Sequence, residues 1–165
     1  MISIGNRATS KIVGVLSAPT GLNTNIAALA QAENVSLAPI SDQHVFTDNV
    51  TIDLAEKAGE AKYTAIYVYC DKITNSLKEK FRSFSGSIQL TVEIRTSQDR
   101  LEGIDRKSQL YTDAVAQVLN ENRGDWGQGL FYSGGYEVAF GAVKHGGRNF
   151  VKSNKITLLV DASID

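Results

Sequence analysis

The sequence predicts an α+β domain, with one antiparallel or mixed sheet of about four strands flanked by a long helix and two short N-terminal helices. Two observations predict this fold class. Apolar residues recur at helical spacing in the first 34 residues and again after residue 100. Apolar and polar residues alternate in four other runs, as in strands that bury one face. The order of two helices, two strands, one helix and two strands is typical of a single α+β domain.

The composition is that of one globular domain, which we assign to residues 1–165. The chain is 42% hydrophobic and 21% charged, and its net charge is −1. A chain of this length buries about two-thirds of its unfolded surface. The charge argues against a whole-protein attraction to nucleic acid or anionic membranes. No apolar run approaches the roughly 20 residues of a membrane span, so we expect a soluble protein made in the cytoplasm.

Two short helices are predicted before residue 35. Residues 6–17 place apolar side chains on one helical face, with Asn6 as the N-cap. Pro19 ends this helix, because proline cannot continue it. A second helix begins near Thr24 and stops at Asn34, a residue that tolerates the left-handed conformation of a helix end.

Residues 35–62 have no clear period. Val50, Ile52 and Leu54 alternate with polar residues, which is compatible with a short strand. Turn-forming residues between Pro39 and Asn49 instead favour an irregular connection. Connections of this length are often functional or held in place by a partner.

Two strands are predicted before the long helix. Residues 63–70 carry apolar groups on both faces, which indicates a central strand or an edge strand covered by a neighbour. Residues 88–95 alternate more regularly, and their even-numbered residues are apolar and directed inward. The odd-numbered residues are expected in water, on the wet face of the sheet: Gln89, Thr91, Glu93 and Arg95.

The longest helix is predicted at about residues 100–122. Asp99 and Glu102 have the spacing of a capping box, and Asn122 and Gly124 end the helix. Its apolar residues recur at helical spacing and are expected to pack on the sheet: Ile104, Tyr111, Ala114, Val115, Val118 and Leu119.

Two further strands are predicted at about residues 135–143 and 150–162, joined by a turn at residues 144–148. Glycines beside Lys144 and Arg148 could cradle a phosphate. A phosphate loop should open a helix, however, and both flanks here alternate like strands. A hairpin turn is therefore the preferred interpretation.

Residues that carry catalysis or bind metals are scarce. The sequence has no phosphate-binding P-loop, no H-E-x-x-H, no C-x-x-C and no G-x-S-x-G. His44 and His145 are far apart and are expected at turns or on the surface, and Cys70 is expected to be a buried, reduced thiol. We therefore expect no enzymatic activity, no cofactor, and no catalytic or metal site.

The segment from residue 121 to residue 151 is rich in glycine and contains the only tryptophan, Trp126. Glycines set between aromatic residues predict a shaped loop feeding a bent strand rather than a flexible linker. Trp126 either anchors an interface or folds back over the end of the long helix. An adjacent aromatic cluster is larger than a monomer should leave in water: Leu130, Phe131, Tyr132 and Tyr136.

The basic stretch at residues 72–84 contains Phe81 and Phe84. Interleaved cations and aromatics can bind single-stranded nucleic acid, but Glu79 interrupts the run. The spacing of the two phenylalanines also fits a packed helical turn. A hairpin arm or turn with a solvated basic face is favoured, and a contact with protein fits the net charge better than a contact with nucleic acid.

These stretches resemble a known family. YVYCDKITNSLKEKFRSFSGSIQLTVEIRTSQDR and RLEGIDRKSQLYTDAVAQVLNENRGDWGQGLFYSGGYEVAFGAVKHGGRNFV are similar to phage and prophage tail-terminator proteins, also called tail-completion or neck proteins. The resemblance covers about residues 65–162. It implies an α+β domain that forms a ring, commonly a hexamer, on the head-proximal end of the tail tube. There the ring ends tube polymerisation and provides the surface that joins the tail to the head.

The resemblance also implies the partners and the location. The expected partners are other copies of the chain, the tail tube protein, the head–tail connector or stopper, and the sheath protein in contractile tails. Double-stranded DNA would pass through the lumen without specific binding, and no membrane would be involved. The expected location is the tail neck of the virion, after assembly in the host bacterial cytoplasm.

The chemistry of two stretches gives the candidate contact residues. In the glycine-rich segment, four residues are expected to form contacts between subunits: Arg123, Trp126, Phe131 and Tyr132. In the basic stretch, four residues are expected on a projecting arm that touches a neighbour or the tube: Lys78, Lys80, Phe81 and Arg82. The alternative functions are another neck or minor tail component, such as a head-closure protein, and a small nucleic-acid-binding module.

Overall fold

A mixed, strongly curled sheet with four α-helices makes up the computed structural model, which describes residues 3–57, 59–146 and 148–165. The helices are α1 (Ile4–Ser17), α2 (Leu22–Glu33), α3 (Ile52–Lys57) and α4 (Ile104–Glu121). The strands are β1 (Val45–Phe46), β2 (Ala65–Asn75), β3 (Phe84–Gln98), β4 (Gly124–Gly127), β5 (Leu130–Tyr132), β6 (Tyr136–Gly146) and β7 (Asn149–Ile164). The α+β class and the order of its long elements are as predicted from the sequence.

The sheet has the strand order β1-β2-β3-β7-β5-β4. Strand β6 also pairs with β7, on the side where β5 pairs, so β7 has β3 along one edge and β6 followed by β5 along the other. All pairs are antiparallel except β1 with β2. The central position of β3 and β7 makes them the frame on which the other elements are placed.

One face of the sheet is covered by α1, α2 and α4. The inward residues predicted for β3 are all buried there, together with the apolar stripe predicted for α4. Ile12 of α1 and Ile26 of α2 extend this core. Burying each such side chain contributes roughly 1.5–3 kcal/mol, so this helix-covered face supplies most of the hydrophobic stabilisation.

The predicted capping box of α4 is wrong. The helix begins at Ile104, after Gly103 with φ of 76°, and no side chain caps it. Gln98 instead donates its amide to the carbonyls of Arg100 (2.6 Å) and Glu102 (2.7 Å), which shapes the loop before the helix. The predicted end is correct, since Asn122 is the C-cap residue.

The N-terminal helices are close to their predicted positions. Helix α1 begins two residues before Asn6, so Asn6 lies in its first turn and is not the cap. Helix α2 begins earlier than predicted, at Leu22, and Asn34 ends it in the left-handed conformation, with φ of 52°. No single helix in the described ranges is long and apolar enough to cross a membrane. Helices α1 and α2 together are long and apolar enough for a membrane span by length and composition only, and they are bent by 47° relative to each other.

The segment before β2 differs most from the sequence expectation. The alternation at Val50 to Leu54 allowed a strand, but helix α3 forms there. It lies beside part of the second sheet face, near Tyr67 and Arg95. Phe46 of the edge strand β1 stacks on Tyr67 there at 4.8 Å. The residues of β3 predicted in water are therefore buried at Thr91, Glu93 and Arg95. Alternation shows which residues share a face, but it does not show whether a distant segment covers that face.

The glycine-rich segment contains a hairpin, β4–β5, that the sequence pattern did not indicate. The β6–β7 hairpin was predicted, and its register closes at Gly146 opposite Asn149, with Gly147 of the predicted turn outside the described residues. Strand β6 has a register shift between Phe140 and Val143. Gly141 lies in this bulge, and a Cβ there would meet the Ser153 carbonyl at 2.4 Å, so glycine is required for the close approach of β6 and β7.

Candidate functional site

The connection between β2 and β3 is an anchored loop of residues 76–83, which we call the projecting loop. The Ser76 N–H donates to the carbonyl of Ser85 (3.0 Å), and the Ser83 N–H donates to the carbonyl of Ile164 (2.9 Å). These bonds hold both ends of the loop against the ends of β3 and β7. The hairpin arm predicted from the basic stretch is therefore present, and it is not a free linker.

The outer part of the projecting loop carries apolar side chains in water. Phe81 is 100% exposed and Leu77 is 62% exposed. Both have positive φ, 64° for Phe81 and 47° for Leu77, which costs about 1–2 kcal/mol for a residue with a side chain. The helical turn considered for Phe81 and Phe84 is wrong, because Phe84 is buried as the first residue of β3. Strain of this kind is concentrated at functional sites, so Leu77 and Phe81 are candidate contact residues.

The charges of the projecting loop have two different roles. Arg82 pairs with Asp165 and lies 3.4 Å from the carboxylate of Glu79, so it helps to hold the loop in place. Both contacts are exposed and contribute at most about 1 kcal/mol each. Within the described ranges, Lys78 and Lys80 make no ion pair. These two lysines are the cations that the loop presents to solvent.

The second face of the sheet is uncovered where β7 approaches its end, and we call this part the open face. The register places six side chains on it, in three facing pairs: Gln89 with Leu159, Phe131 with Asp161, and Glu137 with Thr157. Leu159 is 56% exposed and Phe131 is 48% exposed. The open face therefore combines two large apolar side chains with two carboxylates.

Two cavities lie on the open face. One of about 320 Å³ is lined by Lys78, Phe131 and Asp161, so the structure brings together one residue from each of the two predicted contact sets. The other, of about 360 Å³, lies where the chain passes from β5 to β6, and its lining includes Tyr136, Glu137 and Leu159. Both open to solvent beside the exposed apolar residues.

Trp126 does not project from the glycine-rich segment. Its indole N–H donates to the carbonyl of Asn122 at 2.7 Å, at the end of α4. Its ring centroid lies 5.4 Å from that of Tyr132, and the side chain packs against the main core. Of the two alternatives for Trp126, folding back over the end of the long helix is the one observed. The positive φ of Gly124 and Gly127 allows the sharp path that brings it there.

The predicted aromatic cluster is divided by strand alternation. Leu130 and Tyr132 point into the core, whereas Phe131 between them points to the open face. Tyr132 is fully buried, so its side chain presents no surface to another chain. Desolvation by burial, together with Tyr136, raises the pKa of Tyr132 to about 12, against an opposing effect of Arg123. Arg123 itself is exposed.

The covered end of the second face contains a buried ion pair. Arg95 Nη2 donates to Glu93 Oε2 at 3.0 Å and also to the carbonyl of Val50. Ser153 Oγ donates to the other Glu93 oxygen at 2.6 Å. The Arg95 guanidinium carbon lies 4.1 Å from the centre of the Tyr67 ring, a desolvated cation–π contact worth about 2 kcal/mol.

This ion pair is not arranged for proton transfer. Burial alone would raise the pKa of Glu93. Hydrogen bonds from Arg95 and Ser153, together with the positive charges of Arg95 and Lys155, outweigh burial and lower the pKa below its ordinary value. A carboxylate held in its ionised form is a poor general base. A neighbouring cavity of about 480 Å³ borders the pair, but the geometry assigns the pair to holding the covering segment on the sheet.

The remaining chemically active residues are dispersed. His44 stacks on Tyr63 at 4.6 Å, and His145 meets Phe150 edge-on at 5.7 Å. Cys70 is a free, half-buried thiol, and burial raises its pKa, which disfavours the reactive thiolate. In the part of the chain that the structure describes, no group of three His, Cys, Asp or Glu side chains could hold a metal ion.

The candidate contact residues thus separate into three groups. Arg82 fixes the projecting loop, Tyr132 belongs to the core, and Trp126 is partly buried against the core. The other five are exposed, on the projecting loop, on the open face or, for Arg123, just after α4: Lys78, Lys80, Phe81, Phe131 and Arg123. Leu159 and Glu137 were missed by the sequence reasoning. A signal for Leu159 was present: it is an apolar residue at an outward position of β7, between Thr157 and Asp161. No known protein-family model matches the chain, and no curated protein is similar enough to it to match.

Proposed function

We propose that this protein is a structural virion protein that forms a ring on the head-proximal end of a phage tail tube. The ring ends tube polymerisation and offers the joining surface for the head. The observation that carries the proposal is the placement of large apolar side chains in water on anchored backbone, in both the projecting loop and the open face. The resemblance of residues 65–162 to tail-terminator proteins names the assembly in which such surfaces are used.

The energetics favour association. Full burial of an exposed large apolar side chain contributes roughly 1.5–3 kcal/mol, which applies to Phe81 at 100% exposure. Phe131 and Leu159 are 48% and 56% exposed, so each gains about half as much. Their backbone is already held by strands or by loop hydrogen bonds, so little conformational entropy is lost on binding. Because the loop and the open face are different patches, a contact between them is heterologous. Such a contact closes into a ring when the rotation per subunit allows it.

The mechanism depends on a difference in shape between the two sides of the ring. One side of the ring resembles the next layer of the tube closely enough to dock on it, and the opposite side lacks the surface that a further tube subunit needs. The head–tail connector or stopper binds that opposite side, and in contractile tails the sheath protein meets the same ring. Double-stranded DNA passes through the lumen, where a chain of net charge −1 holds the phosphates only weakly.

Light scattering of the purified chain, alone and with isolated tail tubes, tests the proposal. The expected result is a closed oligomer, in solution or only on the tube, with a mass that is a fixed multiple of the 17.9 kDa protomer. A chain that stays monomeric at all concentrations and does not bind tubes contradicts it. Binding to DNA with an affinity that falls steeply with salt would instead support a small nucleic-acid-binding module.

A further inference from the structure

We propose that the tip of the projecting loop in one copy docks in the 360 Å³ groove on the open face of another copy. Phe81 would lie against Tyr136 and Leu159, and the Lys80 ammonium would face the Glu137 carboxylate. This inference rests on the proposed function and deepens it, because it names the two surfaces that build the ring.

The tip is prepared for such a contact. Phe81 has no protein neighbour that covers it, and Lys80 beside it makes no ion pair among the described residues. The loop is held at its base, where the Glu79 carboxylate accepts a hydrogen bond from Ser163 Oγ at 2.8 Å and the Glu79 N–H donates one to Ser85 Oγ at 3.1 Å. An aromatic side chain on an anchored loop docks with a smaller entropic cost than one on a flexible loop.

The groove is complementary to the tip in shape and charge. Its volume of about 360 Å³ lies at the lower end of the range of protein ligand pockets, roughly 300–1,000 Å³. Tyr136 offers an aromatic ring and Leu159 an exposed aliphatic side chain. Glu137 is the one charged residue in the lining, and within the described ranges it has no ion-pair partner. An acidic, partly aromatic groove therefore fits a basic, aromatic tip.

The contact must involve two copies. The projecting loop lies against the end of β7 at Ser163 and Ile164, whereas the groove is formed around Leu158, five residues earlier. That separation is roughly 17 Å along a strand. Phe81 is fully exposed and does not reach the groove of its own chain. The second surface that it meets is then a neighbour's, and the contact is head-to-tail.

A charge exchange tests the contact. Lys80→Glu and Glu137→Lys should each weaken self-association by roughly tenfold, because each places like charges together. The double variant restores the opposite pairing and should recover most of the lost association. Phe81→Ala should weaken it further still, and Leu101→Ala, which removes an apolar side chain that is 58% exposed elsewhere, should have no effect. The readout is the concentration dependence of mass by light scattering, alone and on isolated tubes, with circular dichroism to verify folding.

The outcomes separate this contact from the proposed function. If the wild type assembles but Phe81→Ala assembles equally well, or if the double variant is no better than the single ones, the loop–groove contact is overturned and the ring remains. If the wild type neither self-associates nor binds tubes, both are overturned.

Discussion

The two ends of the second sheet face are built from the same strands and differ in what lies on them. At the covered end, α3 and the residue Val50 before it lie beside Arg95, which forms an ion pair with Glu93 in the interior. At the open end, Leu159 and Phe131 are exposed beside the carboxylates of Glu137 and Asp161, neither of which forms an ion pair in the part of the chain that the structure describes. The chain thus covers one end of this face itself and leaves Leu159 and Phe131 exposed to solvent at the other end.

Removing the buried cation at the covered end should have the largest effect on the free energy of unfolding. Arg95→Ala leaves the Glu93 carboxylate buried without its ion-pair partner and should lower the free energy of unfolding by about 3–5 kcal/mol. Arg82→Ala, whose ion pairs are exposed, should lower it by at most about 1 kcal/mol. Urea denaturation followed by fluorescence measures both. Similar losses for the two variants would mean that the covered end does not depend on this pair.

Adjacent leucines of β7 compare the two faces directly. Leu158 is buried under the helices and Leu159 is exposed on the open face. Leu158→Ala should destabilise the protomer by about 2–5 kcal/mol. Leu159→Ala should change stability by no more than about 0.5 kcal/mol while it weakens self-association. Equal destabilisation by the two substitutions would show that the open face is covered within one chain.

The pH dependence of stability tests whether the ionised Glu93 carboxylate stabilises the covered end. The folded-state pKa of Glu93 lies below its unfolded value, near the ordinary 4.5. Its contribution is therefore present above that value and is lost as the pH falls through the folded pKa. We expect Glu93→Gln to be less stable than the wild type at neutral pH, with the difference shrinking in acid. Denaturation curves from pH 7 to pH 3 measure it, and a difference that is independent of pH would contradict this assignment.

A substitution at the tip of the projecting loop should have a small effect of the opposite sign on protomer stability. Phe81→Gly removes a left-handed non-glycine residue and should raise protomer stability by about 0.5–1 kcal/mol, after allowance for the added flexibility of glycine. The same variant should lose self-association. Thermal unfolding at low concentration measures the first effect and light scattering the second. A less stable variant would show that the strained tip supports the fold.

The sequence predicts the frame of the molecule because its signals are local. The inward residues of β3 and the apolar stripe of α4 depend on neighbouring residues, and both are predicted correctly, whereas the solvent exposure predicted for the other face of β3 is wrong. The cover on Glu93 and Arg95 comes from a segment more than 30 residues earlier, so no local pattern reveals it. The β4–β5 hairpin is short and glycine-rich, which leaves too little alternation to detect. This hairpin is also what turns Tyr132 into the core and Phe131 outward.

The candidate contact surface is predicted in part for the same reason. Composition indicated a basic aromatic arm, and the structure places Phe81 and Lys80 in water at its tip. The open face depends on strand register between β3, β6 and β7, which brings Glu137 and Leu159 together from distant parts of the sequence. Such a surface cannot be recognised from the period of a single strand.

Tube elongation in the presence of this protein tests the central claim most directly. Isolated tail tubes are incubated with the chain, purified tube subunits are added, and tube length is followed by electron microscopy. We expect a ring of density at one end of each tube and no further growth at that end, with normal growth when Phe81→Ala replaces the wild type. Continued growth of the tubes at the same rate, with no added density, would contradict it.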